Sequence, residues 1–176
     1  VDAVDFSARY IRHGVNLQQG NSVRYRLENE GDIVDYFEVS LKDIGLSASD
    51  NIDFSQGDAC NLKSVFKGYD LILAQHVLEQ SYDPSLFLQN IHQRLNSQGL
   101  LFIVSNYDFD ENKTAKEKWL GGIKVNGENV TGFDGLSAQL IANFTLIKQH
   151  QLTRPLKINR RNFSLSFPQL SVWQLK

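Results

Sequence analysis

The chain has 176 residues, with 18 Lys+Arg against 20 Asp+Glu and a formal net charge of -2. That balance provides no global positive field to draw the protein onto nucleic acid or an anionic membrane. A composition 41% hydrophobic and 22% charged excludes disordered, collagen-like and disulfide-rich classes. The single cysteine, Cys60, cannot close an internal disulfide, and no apolar run reaches the ~18 residues needed to span a bilayer. A cytoplasmic protein with one domain over residues 1–176 and a small-molecule partner is therefore expected.

In chain order, residues 1–5 alternate apolar and acidic side chains and predict a strand, and 7–19 predict a helix capped by Ser7 and closed by Gly20. Residues 21–43 interleave charged with β-branched and aromatic residues, as in an insertion with strand character. Residues 51–56 alternate as a half-buried strand ending at Gly57-Asp58. The run 69–74 predicts a strand buried on both faces. Asp83 and Pro84 open a helix, as cap and first position, whose apolar face is Leu86, Phe87, Leu88, Ile91 and Leu95. Asn96-Ser97-Gln98-Gly99 is expected to end it before a buried strand at 100–104. A charged stretch and a glycine-containing functional loop follow, then a helix at 134–142 and strands at 144–148 and 170–175. Strands alternating with helices argue for an α/β, Rossmann-like, doubly wound and mostly parallel sheet.

In such a sheet, ligands sit outside the carboxyl ends of the strands. Acidic or amide residues occupy four of those ends: Asp5, Asp58, Gln75 with His76, and Asn106 with Tyr107. A strand-end carboxylate can accept from both hydroxyls of a ribose, and Asp5 has that context. Asp58 can accept from an exocyclic adenine amine while the Ala59 amide donates to the ring and Phe6 packs on its face. Each also has a plain reading as a turn-former or helix cap. His13, His76, His92 and His150 lack metal-ligand spacing, so no metal is expected. His92 is placed on the polar face of its helix, and Cys60 reads as a buried small residue. Lys157, Arg160 and Arg161 read as a solvated edge rather than a nucleic-acid site. Trp119 reads as core or lid, with Gly121 and Gly122 favouring a lid.

Several stretches together resemble one family: Asp5-Phe6-Ser7-Ala8-Arg9, residues 33–41, Gln56-Gly57-Asp58-Ala59-Cys60-Asn61-Leu62, residues 68–74, Tyr82-Asp83-Pro84, and above all Trp119-Leu120-Gly121-Gly122 followed by Asn126-Gly127-Glu128-Asn129-Val130-Thr131. The chain resembles the C-terminal methyltransferase domain of the ovothiol-biosynthesis enzymes, whose N-terminal part is an iron-dependent sulfoxide synthase. The resemblance implies a class I methyltransferase fold. It implies methyl transfer from S-adenosylmethionine to an imidazole nitrogen of 5-thiohistidine (4-mercaptohistidine), giving ovothiol A. By position, Asp5 would hold the cofactor ribose, Phe6 would pack beside the adenine, Asp58 and Ala59 would read the adenine edge, and Gln75 and His76 would border the sulfonium.

An in-line displacement of an activated methyl group asks mainly for positioning. His76, Tyr107 or Asp108 is expected to select the substrate tautomer by accepting the proton of the other ring nitrogen. Trp119, Asn126, Glu128 and Asn129 are the expected substrate contacts. The alternatives are a catalytically silent domain that keeps the fold as an interaction module, and a nucleotide-binding oxidoreductase, which the lack of GxGxxG disfavours. The chain opens at Val1, contains no methionine and lacks the first strand and glycine-rich loop of the family. Further residues upstream are therefore expected, and with them cofactor affinity that this stretch alone lacks.

Overall fold

The computed structural model describes residues 1–176. They divide into two compact units, Val1–Asp58 with Pro155–Leu165, and Ala59–Arg154 with Ser166–Lys176.

In the first unit, β1 (Asp2–Asp5) and β4 (Asp53–Gln56) pair in parallel, with Asp5 opposite Gln56. Helix α1 (Ala8–Gln18) follows β1. Ser7 occupies its N-cap position without a side-chain cap bond. Its own backbone N–H donates to Asp5 Oδ1 at 2.7 Å, a local side-chain bond that turns the chain from β1 into the helix and leaves the first helical amides without a side-chain cap. Gly14 lets the helix lie against Phe54, whose ring a Cβ would meet at 2.3 Å. The insertion is a hairpin of β2 (Val23–Glu30) and β3 (Ile33–Val39), on which Tyr25 and Phe37 face each other and stack at 5.3 Å. Such a cross-strand aromatic pair stabilises a hairpin by about 0.5–1.5 kcal/mol beyond its buried area. Near the end of the chain β10 (Arg154–Lys157) pairs with β11 (Phe163–Ser166), and Arg161 forms an exposed ion pair with Glu30 at 3.8 Å.

The second unit holds a four-stranded mixed sheet in the order β5 (Tyr69–Gln75), β6 (Leu95–Ser105), β12 (Gln169–Leu175), β9 (Phe144–Gln151). β5 and β6 are parallel, and β12 runs antiparallel to both of its neighbours. On one face Ala74, Leu101, Ile103 and Trp173 join Phe87, Leu88 and Ile91 of α2 (Pro84–Ile91) and Leu136 and Leu140 of α3 (Gly132–Leu140) in a single buried cluster. Burying each leucine, isoleucine or phenylalanine of this cluster contributes ~1.5–3 kcal/mol. Asp83 caps α2 by accepting from the Leu86 amide at 3.3 Å, with Pro84 at the first position. Thr131 and Asp134 form a reciprocal capping box on α3, which starts two residues earlier than expected, and the bonds from Thr131 hold the Asp134 carboxyl below the usual range.

Several expectations are corrected. Strand β5 is not buried on both faces: Leu71 and Leu73 are 53% and 58% exposed. It is the edge strand of its sheet, paired only with β6, and helices cover only the Ala74 face. Leu95 opens β6 rather than closing the helix, and Asn96 to Gly99 lie within that strand, where Gln98 takes φ 62° next to the irregular pairing with β5. Leu86 is exposed, so the helix face narrows to Phe87, Leu88 and Ile91. His92 is half-buried, with Nδ1 enclosed and unpartnered, rather than on a polar face. The segment expected as a loop contains a small hairpin, β7 (Ile123–Val125) and β8 (Glu128–Val130), turned by Asn126-Gly127. No helix is long and apolar enough to cross a membrane.

Candidate active site

Two clusters of polar groups lie at strand carboxyl ends, one in each unit. In the first unit, Asp5 ends β1 and is exposed, with Oδ1 held by the Ser7 amide. Phe6 follows with its ring 75% exposed, and its carbonyl accepts from Gln56 Nε2 at 3.0 Å. The Gly57 amide donates to the Asp5 carbonyl at 3.0 Å, which ties the two strand ends together just before the half-buried Asp58. At Gly57 the backbone packs so closely that a Cβ would meet Val4 at 2.7 Å. The result is a carboxylate and a water-exposed aromatic ring side by side on paired strand ends. Ala59, which opens the second unit, starts a short 3-10 turn over Ala59–Asn61.

In the second unit, Gln75 ends β5 exposed, and His76 follows with φ 55°. A left-handed backbone at a non-glycine residue costs of order 1–3 kcal/mol and persists where surrounding structure over-determines it. The constraints here are the His76 amide, which donates to the Val104 carbonyl at 2.8 Å, and the imidazole, whose Nδ1 lies 2.7 Å from Glu79 Oε1. Glu79 is 3% exposed, yet its carboxylate is well satisfied. Oε1 also accepts from the Asn106 amide at 3.1 Å, and Oε2 accepts from the Ser105 hydroxyl at 2.8 Å. Ser105 Oγ in turn accepts from the Tyr107 amide at 2.9 Å, holding a second left-handed residue, Tyr107 at φ 54°. On the far side of the ring, His76 Nε2 is 3.2 Å from Arg154 Nη1.

Arg has no acceptor atom, so that contact is a hydrogen bond only if Nε2 carries the lone pair. The proton then sits on Nδ1, facing Glu79. Tyr107 is a poor proton acceptor: burial, with the Glu79 charge behind it, pushes its phenol well above the ordinary range, and the hydroxyl donates to Gln169 Oε1 at 2.8 Å. Asp108 is exposed on the loop after β6.

The expected substrate contacts do not all share one environment. Trp119 is pinned rather than free to move as a lid: its Nε1 donates to the Thr114 carbonyl at 2.8 Å and its ring stacks on Phe109 at 6.0 Å. Gly121 is there for close approach, since a Cβ would lie 2.0 Å from the Thr131 carbonyl oxygen. Asn126 is the first turn residue of the β7–β8 hairpin, at φ 52°, and Glu128 and Asn129 stand exposed on β8. Sequence reasoning misses Glu79. Its only signal is the three-residue spacing from His76, which places a carboxylate one turn beyond a strand-end imidazole.

Residues 38–160 match the methyltransferase-domain family. The chain belongs to that family. Among solved structures it is similar to an S-adenosylmethionine-dependent methyltransferase of Methanosarcina mazei, with 15% identity and a TM-score of 0.58 over 99% of this chain and 81% of the other. It is also similar to the N-methyltransferase NodS of Bradyrhizobium japonicum, at 14% identity and TM-score 0.55 over 99% and 72%, and to a protein of Pyrococcus horikoshii, at 16% and 0.54 over 100% and 71%. At these identities the structures establish the fold alone, the class I α/β methyltransferase fold. No curated protein sequence matches.

The strand-end residues of the first unit suit S-adenosylmethionine, the cofactor on which the Methanosarcina mazei methyltransferase depends. A carboxylate with an oxygen beyond the Ser7 bond suits a ribose diol, and an aromatic ring left in water suits an adenine face.

Proposed function

We propose that this methyltransferase acts on nitrogen, transferring a methyl group to an imidazole nitrogen of 5-thiohistidine to give ovothiol A. The observation that carries the reading is His76 at the end of β5, its proton directed to Glu79 and its bare Nε2 turned toward Arg154. A lone-pair acceptor held in one tautomer is what an imidazole acceptor requires. It binds the N–H of one ring nitrogen and so leaves the other with its lone pair free to attack. The residues that resemble the ovothiol enzymes, the hairpin insertion and the segment from Trp119 to Thr131 above all, support the choice of substrate. The N-methyltransferase NodS, with the same fold, supports nitrogen as the atom class.

When bound, S-adenosylmethionine supplies an electrophilic methyl group on a sulfonium. In this reading Asp5 holds the ribose hydroxyls, Phe6 covers one face of the adenine, and Asp58 with the Ala59 amide reads its edge. Gln75 borders the methionine end, and Asp108 stands beside Tyr107 as a further polar group of the loop. Glu128 and Asn129, with Asn126 at the turn, take the amino and carboxylate groups of the substrate, and Trp119 forms a fixed wall. The reading extends to an upstream iron-dependent sulfoxide synthase in the same polypeptide as the source of the thiohistidine precursor.

The test is mass analysis of 5-thiohistidine incubated with S-adenosylmethionine and the protein. One added methyl on a ring nitrogen supports the reading. Methyl transfer to sulfur, or to histidine in preference to thiohistidine, would overturn the substrate.

A further inference from the structure

We propose that Glu79 is the positioning residue of the methyl-transfer site: it holds the proton of His76 on Nδ1 and so makes Nε2 the atom that receives the proton released by the methyl acceptor. The proposal rests on the nitrogen-methylation reading above for its substrate, but its structural half stands on the resting protein alone.

A carboxylate only 3% exposed is costly unless its lone pairs are used. Glu79 receives three donors, His76 Nδ1–H, the Asn106 amide and the Ser105 hydroxyl, from the ends of two adjacent parallel strands. No lysine or arginine pairs with it, so the imidazole is the only side chain there able to become a cation beside it. The charge is therefore kept for the moment His76 gains a proton. The N–H bond of the substrate's other ring nitrogen, the one that does not take the methyl, then breaks with its electron pair left on that nitrogen, an Nε2–H bond forms, and the resulting imidazolium lies against the Glu79 carboxylate as a neutral pair. Proton release afterwards returns His76 to its starting tautomer. Arg154 marks the place the substrate donor takes: its exposed guanidinium already donates to Nε2 at 3.2 Å, and nothing else holds it there. The left-handed backbone at His76 and Tyr107 serves the same end by setting the imidazole and the Asn106 amide around one carboxylate.

The experiment is nitrogen-15 NMR of the histidine side chains in the full chain, with His76 assigned by its loss in His76→Gln. In the wild type the proton is expected on Nδ1, with Nε2 unprotonated. Glu79→Gln keeps an acceptor oxygen and should retain that tautomer, while Glu79→Leu should move the proton wholly or partly to Nε2. If Glu79→Leu does not fold, Glu79→Gln still decides: its amide cannot balance an imidazolium, so kcat should fall by ~10²-fold, the scale of a positioned proton acceptor, with KM for S-adenosylmethionine unchanged. A wild-type His76 protonated on Nε2, a tautomer indifferent to Glu79→Leu, or an unchanged kcat in Glu79→Gln would overturn the proposal. If thiohistidine proves not to be the substrate while the tautomer follows Glu79 as described, the substrate reading falls and the positioning role of Glu79 stands.

Discussion

Ser105 Oγ donates to Glu79 Oε2 at 2.8 Å inside the core of the second unit, across 26 residues of sequence. The same oxygen accepts from the Tyr107 amide, so one hydroxyl satisfies a buried carboxylate and fixes the backbone after β6. Ser105→Ala leaves both groups short of a partner. It is expected to cost ~1–3 kcal/mol in denaturant unfolding, the range for a buried polar group left unsatisfied. Ser105→Thr, which keeps the hydroxyl, should recover much of it. An alanine variant as stable as the wild type would show that water replaces the serine.

The Tyr107 phenol gives a pH dependence whose sign can be worked out. Burial raises its folded-state value above that of the unfolded chain, which is about 10. Its contribution to stability is therefore complete below pH ~10 and declines above it, as the unfolded chain ionises while the folded phenol stays neutral. Tyr107→Phe should flatten the alkaline loss of stability relative to the wild type in unfolding curves taken across pH 9–11, a range set by the ordinary phenol value of about 10. The same variant loses the bond to Gln169, so its stability near neutrality should be slightly lower. An identical alkaline slope in both proteins would show that Tyr107 ionises as freely when folded.

The exposed residues of β8 and the strand-end acid of β1 should separate in kinetics. Glu128→Gln and Asn129→Ala are expected to raise KM for thiohistidine with little change in cofactor affinity. Asp5→Asn should do the reverse, weakening S-adenosylmethionine by ~1.5–3 kcal/mol, the worth of hydrogen bonds to a charged group. All three are exposed, so none should lower the melting temperature much. Equal loss of both affinities in the β8 variants would remove the idea that this hairpin serves the substrate.

How far these features can be read in the sequence depends on how local their causes are. Asp83-Pro84 announces α2 because cap and first position are adjacent residues with fixed backbone preferences. Asp5 and Gln56 are legible as strand ends because each closes an alternating run, and the structure pairs them and ties them through the Gly57 amide, just before Asp58. The β7–β8 hairpin carried a local signal, Asn126-Gly127, which suits the left-handed turn observed. Its three-residue strands are too short for alternation to register, so the segment reads as a loop. Glu79 was illegible for another reason. Its partners Ser105 and Asn106 meet it only after β5 and β6 pair in parallel, and no periodicity marks a carboxylate that is buried because of hydrogen bonds from another strand. The exposure of Leu71 and Leu73 was also hidden, since an apolar run looks the same whether its second face is covered or bare.

That bare face supports the last prediction. β5 presents an unpaired edge, and Leu71 and Leu73 project from it 53% and 58% exposed, on a strand whose composition suits full burial. Two half-exposed leucines on one face forgo roughly half of the ~1.5–3 kcal/mol that full burial of each would contribute, and an open parallel edge invites pairing with another chain. Leu73→Glu should therefore be nearly neutral in denaturant unfolding, because the side chain already meets water, whereas Ala74→Glu, on the covered face at 4% exposure, should be strongly destabilising, since it buries a charge without a partner. Equal losses at the two positions would show that both faces of β5 are covered.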